Sequence, residues 1–292
     1  MSPAADKQVA ATGCLRVVAT PIGNPGDLSA RAILTLREAD LIACEDTRRT
    51  GRMLAGLGIA TPTISYFEHN EERRIPELIE RLRAGAKIAL VTDAGTPAIS
   101  DPGFKLVRAA IEAGARVEAV PGASAAIAAL SVAGIATNRF AFEGFLPPRG
   151  AARRKALEAL RAEPRTMVFY EAARRLAPTL EEMTAVFGES RSGAVLREIT
   201  KTYEEIARGG LGELARRYRA NPALGEVTIV VEGAPLEPTS TSAHPVTIEP
   251  LRGLGLSLKQ ASAVLALLTG RPRREIYNEA LKSRDSESCG NK

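Results

Sequence analysis

The sequence predicts an α/β protein made of two linked α/β domains with a cleft between them, followed by a small helical module. From 14 to 136, short apolar runs alternate with helical segments, the signature of βα units around a mainly parallel sheet. A second set of alternating elements follows from 139 to 233, after a break near Gly134 to Arg139. At 292 residues the chain is long enough for two core-sized domains and an extra module.

In the first half the strands are read at LRVVAT, DLIACE, TISYF, KIALVTD and ARVEAVP. The clearest helix is 71–84, where Ile75, Leu78, Ile79 and Leu82 recur at i, i+3, i+4 and i+7. The loop after strand 1, ATPIGNPGDL, leads into a helix expected to be capped by Asp27. It lacks the GxGxxG of a dinucleotide site; the nearest match, Gly210, Gly212 and Ala215, follows no buried strand. After strand 2, CEDTRRTGRML sets Glu45 and Asp46 beside Arg48, Arg49 and Arg52. That mixture fits phosphate positioning with a carboxylate in the site, or equally a salt-bridged helix start capped by Asp46 or Thr47. After strand 3, FEHNEER carries His69 and Asn70; the histidine is either a proton acceptor near neutral pH or simply solvated.

The chain is organised around KIALVTDAGTPAISDPG, residues 87–103. Ile88, Leu90 and Val91 read as a central parallel strand, and open α/β sheets bind ligands at the carboxyl ends of such strands. Gly95 permits positive φ, and Asp101 before Pro102 reads as an N-cap with proline at the first helical position. Asp93 and Asp101 lie in this loop, and no Lys or Arg occurs from 88 to 104. A phosphate cradle needs the opposite sign, so the loop suits a neutral or cationic ligand. After strand 5, VPGASAAIAAL is built of small residues, as a ligand ring or close helix packing would require.

The second half carries strands at RFAFEGF, TMVFYEA, SGAVLREIT, YEEIAR and EVTIVVEG, with helices at 151–162, 174–187 and 211–220. FYEAARR sets Tyr170, Glu171, Arg174 and Arg175 at a strand end, and REITKTYEE does the same with Thr200, Lys201 and Tyr203. Both sets can face the cleft or form structural ion networks. Residues 236–250 read as a linker rich in Pro, Ser and Thr. A helix-turn-helix-like module is expected at 251–282, with Ser257 and Gln260 in a capping box and Gly270 closing the first helix. Its turn holds Arg271, Arg273 and Arg274, as in a nucleic-acid contact or a solvated cap. The tail 283–292 reads as disordered.

Only 8 of the 39 basic residues are lysine, and arginine pairs with phosphate and stacks on bases, so an RNA partner fits the net charge of +5. Cys14, Cys44 and Cys289 form no ligand spacing, and His69 and His244 stand far apart. No metal, no disulfide framework and a reducing cytoplasmic location are expected. The start of the chain does not read as a signal peptide and no apolar run is of membrane-spanning length, so no membrane association is expected.

Together VATPIGNPGDLS, ACEDTRRTGRML, LVTDAGTPAISDPG, VPGASA, FYEAARR and TKTYEE with GEVTIVVEG resemble one group. It is the small-subunit ribosomal RNA 2′-O-ribose methyltransferase I family, within the tetrapyrrole methylase superfamily. The resemblance implies the two-domain class III methyltransferase fold, with domains at 14–136 and 137–235 and S-adenosylmethionine in the cleft. It also implies methyl transfer to the 2′-hydroxyl of a cytidine in the decoding centre of small-subunit rRNA, naked or in the 30S subunit. By similarity the cofactor lies against Pro21, Thr96, Ile99, Ser100, Ser124, Ala125 and Tyr170. The acid-bearing, lysine-free loop agrees, because a sulfonium is cationic. Position at strand ends makes Glu45, Asp46 or Glu171 the candidate proton acceptor. Substrate contacts are expected from Arg48, Arg49, His69, Asn70, Arg174, Arg175 and Lys201, with Arg271, Arg273 and Arg274 on the helical module. A homodimer follows from the resemblance alone. The alternatives are a precorrin or uroporphyrinogen C-methyltransferase on the same fold, and a non-catalytic RNA-binding assembly factor.

Overall fold

Apolar residues on alternate positions of five short strands close the first sheet between two helical layers. The computed structural model describes residues 13–148, 150–235 and 248–288. Strands β1 (Cys14–Val18), β2 (Leu41–Cys44), β3 (Thr63–Ser65), β4 (Lys87–Val91) and β5 (Arg116–Val120) are all parallel, in the order β3-β2-β4-β1-β5. In β4, Ala89 and Val91 join a core containing Ala32 and Leu36 of α1 (Ala30–Glu38) and Leu54 of α2 (Thr47–Gly56). Ile88 and Leu90 join the other core, with Leu78 and Leu82 of α3 (Glu71–Arg83) and Leu106 of α4 (Phe104–Glu112). This is the period-2 pattern of a strand buried on both faces. The chain leaves β1 for one helical layer and β4 for the other, and these two strands are neighbours. The chain thus changes layers between two neighbouring strands, the switch point at which open α/β sheets bind ligands.

Helix α5 (Ala125–Ala133), AAIAALSVA, carries no charge and follows the first sheet in sequence, yet it packs on the second. Ala126, Ala129, Leu130 and Ala133 share a core with Val168, Ala194, Leu196 and Val230. Its C-terminal carbonyls are capped from the second half: Arg208 Nε donates to Ala133 O at 3.1 Å. The second sheet contains β6 (Phe140–Phe145), β7 (Thr166–Ala172), β8 (Ser192–Arg197), β9 (Glu205–Gly210) and β10 (Glu226–Val231), in the order β6-β7-β10-β8-β9. Only β6 and β7 pair in parallel. Helices α6 (Gly150–Ala159), α7 (Leu176–Phe187) and α8 (Leu211–Ala220) cover its outer face over Met167, Phe169 and Ile229.

The chain divides into two compact units, Met1–Ala234 and Pro235–Lys292. The second comprises α9 (Ile248–Gly253), α10 (Leu258–Thr269) and α11 (Arg273–Ser288), closed over Ile248, Ala261, Leu265, Ile276 and Ala280. The expected capping box is present, and Gly270 ends α10 in the left-handed region at φ 69°.

Several local expectations are corrected. The linker read at 236–250 overlaps α9 from Ile248, while 236–247 lie outside the described residues. The tail read as disordered from 283 is helical to Ser288, because α11 continues from a buried first half. Ser29, not Asp27, caps α1, its hydroxyl accepting the Ala32 N–H at 3.1 Å. Asp101 caps nothing: positive φ at Ser100 (61°) and Gly103 (143°) delays the helix start to Phe104.

Candidate active site

The loop after β4 is held in an unusual shape. Ala98 and Ser100 both adopt positive φ, at 69° and 61°, a conformation that costs non-glycine residues about 1–3 kcal/mol each. The loop is pinned at both ends. Gly95 bridges Thr20, which leaves β1, with N···O distances of 2.8 and 3.1 Å, and the Thr20 hydroxyl donates to Thr92 O at 3.0 Å. At the far end the Gly103 N–H donates to the buried Glu71 carboxylate at 3.2 Å, which also accepts the Tyr66 hydroxyl at 3.0 Å. A side chain at Gly103 would meet Leu90 Cδ2 at 3.0 Å and the Ala98 amide nitrogen at 3.2 Å. The strain is thus overdetermined by its surroundings, the condition under which it persists.

This loop forms one wall of a cavity of about 440 Å³, within the range of small-molecule sites. Thr96, Ile99 and Ser100 stand on that wall; Ser124 and Ala125, at the start of α5, stand on another. Tyr170, Leu196, Val227 and Thr228 come from the second sheet, and Ile22 from the loop after β1. Tyr170 stitches the walls together, its hydroxyl accepting the Ala126 N–H at 3.2 Å while its ring packs edge-on against Phe142 and Phe145.

The charge of the cavity is lopsided. Glu45, Asp93, Asp101, Glu171 and Glu226 line it, against Arg49 as the single cation of the lining among the described residues. Arg49 is in turn paired with Asp93 at 3.5 Å. Thr92 links two strand ends by donating its hydroxyl to Glu45 at 3.0 Å. Burial, with the nearby Glu45 charge as the next cause, pushes the Asp101 carboxyl up to about 6. Such a wall attracts a cation and repels a phosphate.

The expected cofactor residues Thr96, Ile99, Ser100, Ser124, Ala125 and Tyr170 all line this one cavity. Pro21 does not; its neighbour Ile22 takes that place. Of the candidate proton acceptors, Glu45 faces the cavity and Asp46 does not. Asp46 is the N-cap of α2, accepting the Arg48 N–H at 2.8 Å and the Arg48 guanidinium at 3.1 Å. Those bonds hold its carboxyl down to about 2, too acidic to take a proton near neutral pH. Glu171 reaches the cavity wall but is 2% exposed and fully engaged. It accepts the Ala172 N–H at 2.8 Å and the Thr179 hydroxyl at 2.7 Å, and it pairs with Arg175. Arg175 is thereby a structural tie, not a free phosphate ligand.

Asn70 is buried in its own turn, accepting the Phe67 N–H at 2.8 Å and donating to Ser65 O at 3.1 Å. Lys201 is held by Glu198 at 2.9 Å and Glu226 at 2.8 Å. Arg48, Arg49, His69 and Arg174 remain exposed on the same unit. In the helical unit Arg271 pairs with Glu279 and Arg273 donates to Lys259 O at 3.1 Å, while Arg274 is exposed. Asp101, expected both as a helix cap and as one of two acids in a base-free loop, lines the cavity and leaves the cap of α4 to Gly103.

Among the described residues no helix is long and apolar enough to cross a membrane. The family model of tetrapyrrole (corrin/porphyrin) methylases matches residues 15–215. The ribosomal RNA small subunit methyltransferase I of Haemophilus influenzae is 44% identical over 92% of this chain and 97% of its own length. The protein of that name from Synechocystis is 46% identical over 92% and 98%. Among solved structures, a uroporphyrin-III C-methyltransferase from Thermus thermophilus, complexed with S-adenosyl homocysteine, superposes with a TM-score of 0.55 at 21% identity. It covers 75% of this chain and 97% of its own. A diphthine synthase superposes with a TM-score of 0.57 at 18% identity, over 75% and 90%. At these identities the structural likeness establishes the fold alone.

Proposed function

The chain belongs to the ribosomal RNA small subunit methyltransferase I family of the tetrapyrrole methylases, and we propose on that premise that it methylates a ribose 2′-hydroxyl of small-subunit rRNA from S-adenosylmethionine. The target is a cytidine of the decoding centre, in free small-subunit rRNA or in the 30S subunit. One observation carries the reading. Relatives named for ribosomal RNA match 92% of this chain and nearly all of themselves, whereas the tetrapyrrole enzyme is nearly exhausted after covering 75%. A quarter of the chain thus has no counterpart in an enzyme that handles a small macrocycle.

The cavity fits the donor. A sulfonium is a cation without phosphate, and the acidic lining with Arg49 already paired suits it. When bound, S-adenosylmethionine supplies an activated methyl carbon. Thr96, Ile99, Ser100, Ser124, Ala125 and Tyr170 hold and orient it, and the apolar Ile22, Leu196 and Ile199 exclude water. Alignment of oxygen, methyl and sulfur supplies roughly 7–11 kcal/mol of the barrier. Arg48, Arg49, His69 and Arg174 from the first unit, and Arg271, Arg273 and Arg274 from the second, contribute RNA contacts. The working form is a cytoplasmic homodimer.

The test offers methyl-labelled S-adenosylmethionine with naked small-subunit rRNA, with 30S subunits and with uroporphyrinogen. Label in RNA, in the 2′-O-methylcytidine fraction of its nuclease digest, is the expected outcome. Label in the macrocycle, or binding of the donor without transfer, overturns the reading.

A further inference from the structure

We propose that Phe145, the last residue of β6, stacks on the base of the nucleotide being methylated and holds that nucleotide turned out of the RNA. The inference rests on the methyltransferase reading above and adds the residue that receives the base.

The large apolar side chains of the cavity are graded by depth. Leu196, Val227 and Ile22 are buried, and Tyr170 and Ile199 are half-buried. Ile99 and Phe145 are 47% and 57% exposed, so these two stand at the rim. Phe145 is the one aromatic ring among them that an arriving substrate meets before the interior.

An irregularity in its strand brings it there. Phe142 lies opposite Val168 of β7, but Gly144 lies opposite Phe169 and Phe145 opposite Tyr170, so Glu143 is an extra residue, a β-bulge. Side chains alternate along a strand, and Phe142 and Phe145, three apart, would otherwise point to opposite faces. The bulge returns both to the face of Val168 and Tyr170, and their rings pack on Tyr170 at centroid distances of 4.9 and 5.6 Å. Without it Phe145 would turn to the outer face, where Met167 and Phe169 share a core with Leu180 and Met183 of α7. Bulges beside functional sites re-aim side chains in this way. Gly144 makes the bend at φ 62°, and a side chain there would meet the Ser100 hydroxyl at 3.3 Å, so the bulge is seated against the loop after β4.

The ring is thus propped on edge by Tyr170, at 61° between planes, with more than half of the residue open to solvent. Its partner has to be flat and unsaturated. A ribose 2′-hydroxyl reaches a donor inside the cavity only when its nucleotide leaves the helical stack, and the base so freed needs a new face. The acidic lining repels phosphate, which keeps the backbone outside while the nucleoside enters. An aromatic ring at the rim meets that base. Stacking accepts any base, so Phe145 holds the nucleotide without selecting cytosine.

The experiment compares wild type with Phe145→Ala, Phe145→Leu and Phe145→Tyr, by kcat/KM for the RNA that takes label and by S-adenosylmethionine affinity in calorimetry. Phe145→Ala should lose roughly 5- to 150-fold in kcat/KM, with donor affinity within about twofold, which also certifies its fold. Phe145→Tyr should recover most of that loss, and Phe145→Leu, apolar but without a ring, should not. The chain contains no tryptophan, so Phe145→Trp adds a single reporter. Its emission should be unchanged by S-adenosylhomocysteine and quenched when small-subunit RNA joins that complex.

Phe145→Ala with wild-type kcat/KM, or Phe145→Leu as active as Phe145→Tyr, overturns the assignment and leaves the methyltransferase reading intact. Quenching by S-adenosylhomocysteine alone, with no further change on adding RNA, gives the ring to the donor and also overturns it. Wild type that transfers no label to RNA overturns that reading and the assignment with it.

Discussion

The Asp101 carboxyl is uncomfortable when charged, and that discomfort has a sign. Its folded value of about 6 lies above the ordinary 3.8, so the folded protein binds the extra proton between those values. Stability from this group is therefore fullest below about pH 4 and falls as pH rises through 6. Asp101→Asn should unfold later than wild type at pH 8, by on the order of 2 kcal/mol, with the gain vanishing near pH 4. Urea melts at the two pH values measure it; equal gains at both would refute the sign. Tyr170→Phe removes the acceptor for the Ala126 N–H and should cost about 1 kcal/mol in the same melts. The variant should also weaken S-adenosylmethionine binding several-fold by calorimetry, because Tyr170 belongs to the cavity wall. At this scale the sequence was only partly readable. Asp-Pro is a strong local cue for a helix start, and nothing local told that Ala98 and Ser100 would adopt positive φ and rotate Asp101 into the cavity. Likewise Lys201 and Arg175 lie just past the ends of β8 and β7, and their acid partners Glu226 and Glu171 are identifiable only once the strands are paired.

At the scale of elements, the loop 92–103 and helix α5 decide the shape of the site. Gly103→Ala puts a methyl group against Leu90 and the Ala98 amide at a backbone angle that side chains resist. It should cost about 1–3 kcal/mol and reduce donor affinity at least tenfold, as the loop retreats from the cavity. An ordinary melt combined with undiminished affinity would show that the loop tolerates the change. In α5, Ala129 is fully buried against the second sheet, so Ala129→Leu should overpack that seam by about 1–3 kcal/mol. The alternating strands of the first half were legible because each is an apolar run bounded by turn residues. The partner of α5 was not, because a uniformly apolar helix has no preferred face and can be covered from any side.

At the scale of the molecule, a chain of net positive charge carries an acidic pocket. The net charge of +5 favours a polyanion at the surface, while the lining of the cavity selects a small cation. Replacing Arg271, Arg273 and Arg274 together with Ala should therefore separate the two. RNA affinity should fall, and the slope of log affinity against log salt should flatten by roughly 2, as expected for up to three lost phosphate contacts. Donor affinity should not change. Filter binding at several salt concentrations, beside calorimetry, reads both. The seating of α5 carries one last implication. Helix α5 is encoded with the first sheet and buried by the second, so scissors placed near residue 136 would leave one fragment with a naked alanine ridge and the other with an uncovered floor of Val168, Leu196 and Val230. Heating the intact unit should therefore dissolve both sheets in one cooperative step.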